Sequence, residues 1–400
     1  MRTVIVGAGQ AGRRTAEALR GLDPEREILL LGAEEEPPYD RPPLSKEILL
    51  GEARPKGLMQ REMNAYAAER IDLRLGVRVV AIDPSGRCAT TADGTRIEYD
   101  QLVLATGAQA RRLKLPGADD PRVMVLRNLD DARVLHAMLR PGLRLAVAGA
   151  GLIGLEVAAA AAQLGCAVTV LEMGPRAMVR SMPALIAERV AGWHRAAGMV
   201  LHFGCALTAI TPQNTGLLLA TGQGEIEADL LLVAIGAVAD DALARQAGIA
   251  VADGILVDAH GRTGTPNIFA AGEVASIRQP DGRHVRFESW QVAQQQPLAV
   301  ANAICGIDKP YAELPWHWTD QHGHNVQVFG AHEPGFDWIE RDDGAGRFAA
   351  LGLDAEGRVR GAVLIDNGRD ATPVRRIIAG GQRIDRERLS DVSVGLRLLC

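Results

Sequence analysis

The feature that most constrains the fold of this chain is a glycine motif that occurs twice. The spacing G-x-G-x-x-G is found at Gly7, Gly9 and Gly12 and again at Gly149, Gly151 and Gly154. An apolar run precedes each copy and a helix-forming segment follows it, as in a βαβ unit that binds a dinucleotide. In such a unit the first glycine permits a tight turn, the second lets the backbone approach a pyrophosphate, and the third lets the helix pack closely on the strand.

Two copies of the motif predict two bound dinucleotides, each with its phosphates at a helix N-terminus. The usual pair is FAD on the N-terminal fold and a nicotinamide cofactor on the internal one. In the second copy the predicted strand at 168–171 ends on Glu172, whose carboxylate would accept hydrogen bonds from a ribose diol and repel a 2′-phosphate. This residue favours NADH over NADPH. A lone motif could be a turn of an ordinary α/β protein, but strand, helix and acid in register disfavour that alternative.

Composition excludes several other classes of protein. The 400 residues, 47% of them hydrophobic, are enough for two or three domains with their own cores. A net charge of −5 does not favour sequence-independent binding of nucleic acid. The first predicted strand begins at Thr3, which leaves no room for a signal peptide, and the longest apolar region, 157–171, is interrupted by Gln163 and Gly165. We therefore expect a cytoplasmic protein that binds neither nucleic acid nor membrane.

Neither the cysteines nor the histidines form a pattern that predicts a metal site. The five cysteines contain no C-x-x-C or close pair, so neither a disulfide scaffold nor a zinc site is expected. The nine histidines are scattered. His322 and His324 lie two apart in a stretch predicted to be a loop, and we expect them at the surface rather than as ligands. No metal site is predicted.

Two further stretches are candidates for contact with a cofactor. A proline-rich segment at 37–46 carries Arg41 and Lys46, two cations suited to an anionic group; a solvated surface loop is the alternative. A predicted strand at 99–104 ends in Ala105-Thr106-Gly107. A turn of such small residues lets the backbone approach a bound group.

The order of the segments predicts an α/β protein in which one fold interrupts another. A strand at 267–271, ending in Gly272-Glu273, and a helix from Trp290 continue the N-terminal fold after the second glycine motif. The expected parts are an FAD-binding domain at 1–112 and 235–312, an inserted NAD-binding domain at 113–234, and an α+β domain of alternating strands at 313–400.

Three segments carry a resemblance to a known family. They are Pro42-Pro43-Leu44-Ser45-Lys46, the stretch from Glu288-Ser289-Trp290 to Gln294, and Trp316-His317-Trp318-Thr319-Asp320-Gln321. With the glycine motifs they resemble the oxygenase-coupled NADH-dependent ferredoxin reductases, the group that contains putidaredoxin reductase and biphenyl dioxygenase ferredoxin reductase. The resemblance spans the whole chain. It implies a glutathione-reductase-like fold with two Rossmann-like domains, for FAD and NADH, and a C-terminal interface domain.

The resemblance also implies an activity and a set of partners. A ferredoxin–NAD(+) reductase of this kind passes electrons from NADH through FAD to a [2Fe–2S] ferredoxin. That ferredoxin supplies a terminal oxygenase, either an aromatic-ring dioxygenase or a P450 monooxygenase. Whether the protein is a monomer or a homodimer stays open.

Individual residues match the functional positions of the family. The FAD-binding candidates are Gly7, Gly9, Ala11, Gly12, Glu34, Arg41, Lys46, Val79, Ala105, Thr106, Gly107, Arg127, Gly272, Glu273 and Trp290. The nicotinamide-cofactor candidates are Gly149, Gly151, Leu152, Ile153, Gly154, Glu172 and Gly236. The candidate catalytic residues are Lys46 and Glu156, near the reacting rings, and Trp290 and Trp318, flanking the flavin and the route to the ferredoxin.

Two positions depart from the family pattern. Gly272-Glu273 stands where Gly-Asp is usual, so the ribityl contact could be displaced or bridged by water. Gly32-Ala33 follows the second strand where Gly-Asp is frequent, and Glu34 is assigned as the acid on the adenosine ribose, with Glu35 as the alternative.

The chemistry is expected to reside in the flavin, with the protein supplying position and electrostatics. The segment that carries a cysteine pair in disulfide reductases of this fold contains none here. Lys46 would stabilise negative charge on the reduced ring, and Trp290 and Trp318 could alternatively be packing residues. An acidic ferredoxin is expected to dock over the tryptophans with help from four arginines, Arg283, Arg286, Arg375 and Arg376.

Other functions share these motifs. Within the enzymes, a rubredoxin reductase or an NADH oxidase that passes electrons to oxygen is the alternative. Outside catalysis, the alternative is an NADH-sensing flavoprotein resembling apoptosis-inducing factor.

Overall fold

The chain forms two compact units that alternate along the sequence. The structure, a computed structural model, describes residues 1–52, 55, 57–59, 61–344 and 346–399. Among these, the first unit takes residues from 1–43, 54–109 and 237–313, and the second unit takes residues from 44–53, 110–236 and 314–400.

The α-helices of the described residues are α1 (Gln10–Leu22), α2 (Met63–Ala68), α3 (Leu129–Met138), α4 (Leu152–Gln163), α5 (Ala184–Ala196), α6 (Ala242–Gln246), α7 (Trp290–Ile304), α8 (Ala371–Gly380) and α9 (Arg386–Ser390). Short 3₁₀ turns lie at Pro42–Ser45, Gly272–Val274, Gly368–Asp370 and Leu396–Leu399.

The strands of the same residues are β1 (Arg2–Val6), β2 (Glu27–Leu31), β3 (Ile71–Arg74), β4 (Val79–Asp83), β5 (Cys88–Thr91), β6 (Arg96–Glu98), β7 (Gln101–Leu104), β8 (Ala108–Ala110), β9 (Val123–Met124), β10 (Arg144–Ala148), β11 (Ala167–Glu172), β12 (Val200–Phe203), β13 (Leu207–Gln213), β14 (Gly216–Thr221), β15 (Gly224–Ala228), β16 (Leu230–Val233), β17 (Ala237–Ala239), β18 (Val251–Ala252), β19 (Gly254–Val257), β20 (Ile268–Ala270), β21 (Ala275–Arg278), β22 (His284–Arg286), β23 (Trp316–Gln321), β24 (His324–Gly330), β25 (Asp337–Asp342), β26 (Phe348–Leu353) and β27 (Val359–Ile365).

Each unit is built on a parallel sheet. In the first unit the order is β20-β7-β1-β2-β3, and in the second it is β12-β11-β10-β16-β9. The central strands β1, β2, β10 and β16 are short apolar runs whose side chains are almost wholly buried, as expected of a parallel sheet covered on both faces. Each glycine motif follows the central strand, β1 or β10, and leads into a helix, α1 or α4. The predicted pair of Rossmann-like folds is confirmed.

The C-terminal part of the second unit has a different architecture. Its five strands form an antiparallel sheet in the order β23-β24-β27-β26-β25, and the apolar side of α8 packs on this sheet through Val374 and Ile377. The predicted α+β region is therefore present. The motif at 316–321 is itself the first strand of this sheet rather than a lead into it. The domain boundaries drawn from the sequence stay predictions, since the compact units join the inserted fold with the C-terminal sheet.

The expectation that His322 and His324 lie in a loop at the surface is wrong in part: the loop is only the two-residue turn His322-Gly323, and His324 already belongs to a strand. His324 is the first residue of β24, and its ring stacks on Trp193 with centroids 4.2 Å apart. His322 lies in the tight turn before β24, where its φ is +52°, and it is only partly exposed. The strands extend to the turn on both sides, and the two rings contact α5 through His194 and Trp193, while the side chain of His324 stays 41% exposed.

Candidate functional site

The first glycine turn lies in the first unit, between β1 and α1. A side chain at Gly7 (φ +109°) would place its Cβ 2.2 Å from the carbonyl oxygen of Ala105, and one at Gly12 would lie 1.8 Å from that of Gly7. Real Cβ atoms do not approach oxygen so closely, so only glycine fits at either place. At Gly9, by contrast, an added Cβ meets no atom within 4 Å. The turn thus has no room for a side chain at its first and third glycines, but it has room at its middle glycine.

The second glycine turn, between β10 and α4 in the second unit, repeats this geometry. Gly149 has φ +106° and would place a Cβ 2.4 Å from the carbonyl oxygen of Ala234, while Gly154 would place one 2.2 Å from that of Gly149. Gly151 again has no atom within 4 Å of the added Cβ. Both turns therefore fit a dinucleotide: the middle glycine leaves space for a phosphate at a helix N-terminus, where unpaired N–H groups favour an anion.

Leu152 and Ile153 begin α4, and the side chain of Ile153 is 48% exposed beside this open space.

Three of the predicted FAD-binding residues come together in the first unit. Arg41 donates to Glu34 at 2.7 Å, and the hydroxyl of Tyr39 donates to the other oxygen of the same carboxylate at 2.5 Å. Burial works against the charge of Arg41, but Tyr39, Glu34 and then Glu273 outweigh it and raise the pKa of its guanidinium. Glu34 and Arg41, after β2, thus form an ion pair that Glu273, in the 3₁₀ turn after β20, supports electrostatically. The alternative acid, Glu35, takes no part in these contacts.

The turn at Gly272 is held by α7. Gly272 has φ +79°, and a Cβ there would lie 2.5 Å from the methyl of Ala11. The fully buried side chain of Gln296 accepts from the Gly272 amide at 2.8 Å and donates to the carbonyl of Ala270 at 3.1 Å. Gln10 of α1 is hydrogen-bonded to Gln294 of the same helix. These contacts bring the glycine turn, α1 and the Gly-Glu turn of the first unit together.

Five other predicted FAD-binding residues have contacts of a different kind. Val79 is a buried member of the hydrophobic core, and the hydroxyl of Thr106 donates to the carbonyl of Asp240 at 2.6 Å. Arg127 precedes α3, and its backbone N–H donates to Asp131 at 2.8 Å. Trp290 is the first residue of α7, after the N-cap Ser289. Gly107, with φ +71°, ends the small-residue turn. Their predicted contacts with FAD stay predictions.

Glu172 contacts the second glycine turn directly. One carboxylate oxygen accepts from the amide of Ala150 and the other from the amide of Gly174, both at 2.7 Å. The carboxylate is therefore oriented by the backbone at the end of β11, beside the turn that a nicotinamide dinucleotide would occupy. Gly236 follows β16 with φ +101°, and a Cβ there would lie 3.1 Å from the guanidinium of Arg180.

Three of the four candidate catalytic residues meet in the second unit. Glu156, on α4, is buried and lies 3.6 Å from the ammonium of Lys46, which also pairs with Asp320 at 2.6 Å. The hydroxyls of Ser45 and Thr319 donate to the two carboxylate oxygens of Glu156 at 2.5 and 2.6 Å. We call Lys46, Glu156, Ser45, Thr319 and Asp320 the buried charge cluster. It collects residues from three distant parts of the chain.

The charges of this cluster depend on each other. Burial raises the pKa of Glu156 above its ordinary value, and the opposing effects of Lys46 and the two hydroxyls do not cancel that shift. Burial also disfavours the ammonium of Lys46, but Glu156 and Asp320 outweigh it and raise the pKa of Lys46. Lys46 is therefore protonated at neutral pH and holds a positive charge inside the unit.

An aromatic stack leads from the cluster to α8. Lys46 Nζ lies 5.6 Å from the ring centroid of Trp318, and this ring stacks on Trp316 with centroids 5.1 Å apart and planes inclined by 20°. The guanidinium of Arg375 lies 5.1 Å from the Trp316 ring. Trp318, predicted as a catalytic residue, is thus packed between a cation and a second indole.

One of the four arginines expected at a docking surface is placed elsewhere. The Arg286 side chain is only 5% exposed and pairs with Asp253 at 2.9 Å and with Glu288 at 2.6 Å, so the expectation that it contacts a partner is wrong. Its pairing with these two carboxylates explains this placement. Arg283 is exposed and pairs with Asp281, whereas Arg375 and Arg376 are exposed on α8.

Sequence reasoning missed several residues of these sites. Ser45 and Thr319 lie inside motifs that the sequence singled out, so their hydroxyls were available as a signal. Gln296 and His194 lie in ordinary helical sequence, and no pattern marks them. Within the described residues, no group of three or more His, Cys, Asp or Glu side chains could hold a metal ion, and no helix is long and apolar enough to cross a membrane.

Comparison with known proteins identifies two family matches. Residues 1–297 match the pyridine nucleotide-disulphide oxidoreductases, and residues 316–400 match a domain described as reductase C-terminal. The chain is 44% identical to the anthranilate 1,2-dioxygenase system ferredoxin–NAD(+) reductase component of Burkholderia cepacia, over 98% of each chain. It is 37% identical to the corresponding component of the p-cumate 2,3-dioxygenase system of Pseudomonas putida, over 98% of this chain and 97% of the relative.

Solved structures agree in fold along the full chain. The ferredoxin reductase for the CYP199A2 system of Rhodopseudomonas palustris superposes with a TM-score of 0.94 at 35% identity, covering 100% of this chain and 99% of its own. Putidaredoxin reductase, in its covalent complex with putidaredoxin, gives a TM-score of 0.91 at 32% identity, covering 99% and 97%. Both likenesses extend through the C-terminal sheet that carries the aromatic stack.

Proposed function

Because the chain belongs to the pyridine nucleotide-disulphide oxidoreductase family and, within it, to the oxygenase-coupled ferredoxin reductases, we propose that it passes electrons from NADH through FAD to a [2Fe–2S] ferredoxin. This ferredoxin would supply an aromatic-ring dioxygenase or a P450 monooxygenase, as the names of the relatives indicate for those proteins. FAD and NADH are the cofactors that the family and these names imply.

One observation supports the use of two dinucleotides above all others. The two glycine turns have nearly the same φ at the first glycine, +109° and +106°, the same close approach at the first and third glycines, and the same open space at the second. A structural turn needs no space at its middle glycine. Two such spaces, one in each unit, are what an enzyme with FAD on one fold and NADH on the other requires.

FAD, when bound, accepts a hydride from NADH and releases electrons one at a time, which links a two-electron donor to a one-electron acceptor. The chain itself supplies binding and charge. We assign Gly7, Gly9, Gly12 and the Glu34–Arg41–Glu273 group to FAD, and Gly149–Gly154 with Glu172 to NADH. The doubly hydrogen-bonded carboxylate of Glu172 places a fixed negative charge where a 2′-phosphate would lie, which supports selection of NADH.

We assign the buried charge cluster to the reaction itself. The protonated Lys46 would stabilise the negative charge that develops on the reduced ring, because a positive charge in a buried position is weakly screened. Glu156 and Asp320 keep this lysine charged and orient it. Without them, burial would lower the pKa of the lysine.

We assign Trp318, Trp316 and the arginines of α8 to ferredoxin docking. The stack presents aromatic rings next to Arg375 and Arg376, a combination that is frequent at the centre of protein interfaces. Positive charge on α8 would attract an acidic ferredoxin and raise its association rate.

Anaerobic titration of the purified protein with NADH and NADPH tests the proposed function. We expect a yellow protein that is bleached by NADH far more readily than by NADPH, and that then reduces cytochrome c rapidly only when a [2Fe–2S] ferredoxin is present. A reduced flavin that ignores ferredoxin and reacts with oxygen alone would contradict the proposal. A colourless protein that cannot be loaded with FAD would contradict it as well.

Charge reversal tests the docking assignment. Arg375→Glu with Arg376→Glu should raise the ferredoxin KM about tenfold at low salt, by removing the attraction that steers association, and the difference should shrink at high salt. Arg133→Glu, on the exposed face of α3 in the same unit, is the control for net charge. If the parent and the α8 variant reduce ferredoxin equally at low salt, the ferredoxin docks elsewhere. Reduction of the flavin by NADH should be unchanged in the variant.

A further inference from the structure

We propose that His194 is a positioning residue that acts through Gln321 and Thr319 on the buried carboxylate of Glu156. The three side chains of this relay, His194, Gln321 and Thr319, are all 0% exposed. The inference rests on the proposed function only in assuming that Glu156 acts beside the reacting cofactors.

The relay is a continuous row of hydrogen bonds. His194 Nε2 lies 3.1 Å from Gln321 Oε1, and Gln321 Nε2 lies 2.8 Å from the hydroxyl of Thr319. Thr319 donates in turn to Glu156 at 2.6 Å. At the other end, His194 Nδ1 lies 3.1 Å from Nε2 of His322, in the turn between β23 and β24. A side chain of α5 is thus connected to the carboxylate on α4 through β23.

The chemistry of the partners determines the direction of every bond. Gln321 Nε2 also lies 3.4 Å from the carbonyl oxygen of Leu152, which can only accept, so the NH₂ group of the amide points there. Its oxygen therefore faces His194, and His194 must carry its proton on Nε2. The unprotonated Nδ1 then faces the sulfur of Met199, which has no hydrogen to give, and accepts from His322. All donors point towards Glu156.

This direction has a consequence for the charge cluster. Because the amide of Gln321 donates to Thr319, the hydroxyl hydrogen of Thr319 is directed to Glu156 and cannot turn elsewhere. If His194 lost its Nε2–H, the buried oxygen of Gln321 would have no donor, and only the 3.4 Å contact with the carbonyl of Leu152 and the bond to Thr319 would still hold the amide. His194 thus holds one of the two hydroxyl donors that orient the carboxylate facing Lys46.

The relay also reaches the nicotinamide-binding turn. Leu152 is the first residue of α4 and follows Gly151 directly, so the same amide of Gln321 contacts the start of the helix whose N-terminus would receive the phosphates. Glu156 lies one turn further along this helix. The three contacts of Gln321 therefore place Glu156 relative to the glycine turn within the second unit.

Two variants and a control test the proposal. His194→Phe keeps a planar ring but removes both nitrogens, whereas His194→Gln returns an N–H donor at about the reach of Nε2. Met199→Leu alters the other neighbour of the ring without changing any donor and should behave as the parent. The measurements are the limiting rate of anaerobic flavin reduction by NADH, the apparent NADH Kd, the thermal unfolding temperature, and the ¹⁵N chemical shifts of the His194 imidazole in histidine-labelled protein.

We expect His194→Phe to lower the limiting rate about tenfold with less than about a twofold change in NADH Kd, because the loss of one oriented hydrogen bond in a buried network has about that effect. His194→Gln should return the rate to within about threefold of the parent. The ¹⁵N shifts should show the Nε2–H form at neutral pH. A purely structural histidine would lower the unfolding temperature of both variants and leave the limiting rate of the folded protein unchanged.

Several results would overturn the proposal. They are an Nδ1–H form of His194, an unchanged rate in His194→Phe, or a His194→Gln variant as slow as His194→Phe. If His194→Phe does not fold, Thr319→Val decides: it removes the hydroxyl at constant shape and must reproduce the slow reduction. A protein that NADH does not reduce at all would refute the proposed function, while the ¹⁵N shifts would still decide the direction of the relay.

Discussion

The two dinucleotide folds of this protein share a backbone and differ in the side chains that follow it. Both glycine turns close on the strand and open at the middle glycine in the same way. Two residues after the last glycine, however, α1 carries Arg14 and α4 carries Glu156. Arg14 pairs with Glu17 and donates to the backbone of Gln294, whereas Glu156 is buried and faces Lys46 and Thr319.

This difference separates binding from chemistry. The glycines produce a turn that can receive a dinucleotide, and they do so regardless of the residues on the helix. The helix side chains then decide what each fold does besides binding. In the first unit the side chains of α1 join it to α7, whose Gln296 holds the Gly272 turn, while in the second unit Glu156 of α4 belongs to the buried charge cluster.

The largest effect is expected at the glycines that close each turn. Gly12→Ala and Gly154→Ala would place a Cβ 1.8 and 2.2 Å from a carbonyl oxygen, so the helix must move away from its strand. Each should destabilise its own unit by about 4 kcal/mol or more, at the upper end of overpacking effects. Hydrogen exchange resolved by unit is the measurement, with Gly192→Ala, on the open side of α5, as the control. Equal loss of protection in both units from either variant would contradict the separation of the folds.

The middle glycines should affect binding and leave folding unchanged. Gly9→Ala should lower FAD retention, and Gly151→Ala should keep FAD but raise the NADH Kd, each about a hundredfold, because a methyl group fills the space for a phosphate. Neither variant should change the free energy of unfolding of the apoprotein by more than about 0.5 kcal/mol, since no protein atom lies within 4 Å. Loss of FAD from Gly151→Ala would show that the assignment of cofactors to folds is wrong.

Acid should distinguish the second unit through its buried histidines. Burial lowers the pKa of His194 to about 4, with His322 contributing, and lowers that of His317 to about 4 as well. Between pH 6.5 and 4 the unfolded imidazoles therefore bind protons that the folded ones do not, so stability is present above pH 6.5 and falls as the pH decreases. By pH 5 the loss should be about 2 kcal/mol for each histidine.

Hydrogen exchange of the second unit at pH 7 and pH 5, corrected for intrinsic rates, measures this loss. His194→Gln should remove its own share of the pH dependence. The same slope in the parent and in this variant would show that His194 does not contribute.

The smallest effect is expected at Glu172, the carboxylate at the end of β11. Glu172→Gln removes the negative charge beside the turn, and its single oxygen can accept from only one of the two amides, that of Ala150 or that of Gly174. The preference for NADH over NADPH should fall about tenfold, a change of about 1.4 kcal/mol. The ratio of kcat/KM for the two cofactors measures it, with Glu225→Gln, an exposed carboxylate on β15, as the control. An unchanged ratio would place the selection of the cofactor on another residue.

Much of the fold was predictable because its signals are local. The strand predicted at 168–171 lies within β11, the helix expected from Trp290 is α7, and both glycine turns lie between a strand and a helix as predicted. Apolar runs and glycines determine the conformation of a few neighbouring residues, and a parallel βαβ unit is built from such local segments. The loop expected around His322 is only a two-residue turn, because strand length depends on pairing with β27, which lies about 40 residues further along the chain.

The site was predictable only in part. Lys46, Glu156 and Trp318 were named separately from motifs, and the resemblance suggested their roles, but nothing in the sequence shows that Lys46 and Glu156 form an ion pair. Arg286 was taken for a surface residue because a charged residue is usually exposed, and its two carboxylate partners reversed that expectation. No sequence pattern marks Gln296 or His194 as a functional residue.

The sequence by itself determined the two dinucleotide turns, the order of the folds and the family, because glycine spacing and apolar periodicity act over a few residues. Only the tertiary structure decided which charges meet. The cluster around Glu156 needs a lysine from the proline-rich segment, a carboxylate from α4 and a threonine from β23. The direction of the relay from His194 needs a carbonyl of one helix and an imidazole of another. Such contacts depend on side chains brought together from distant parts of the chain, and burial then makes their hydrogen bonds and charges strong.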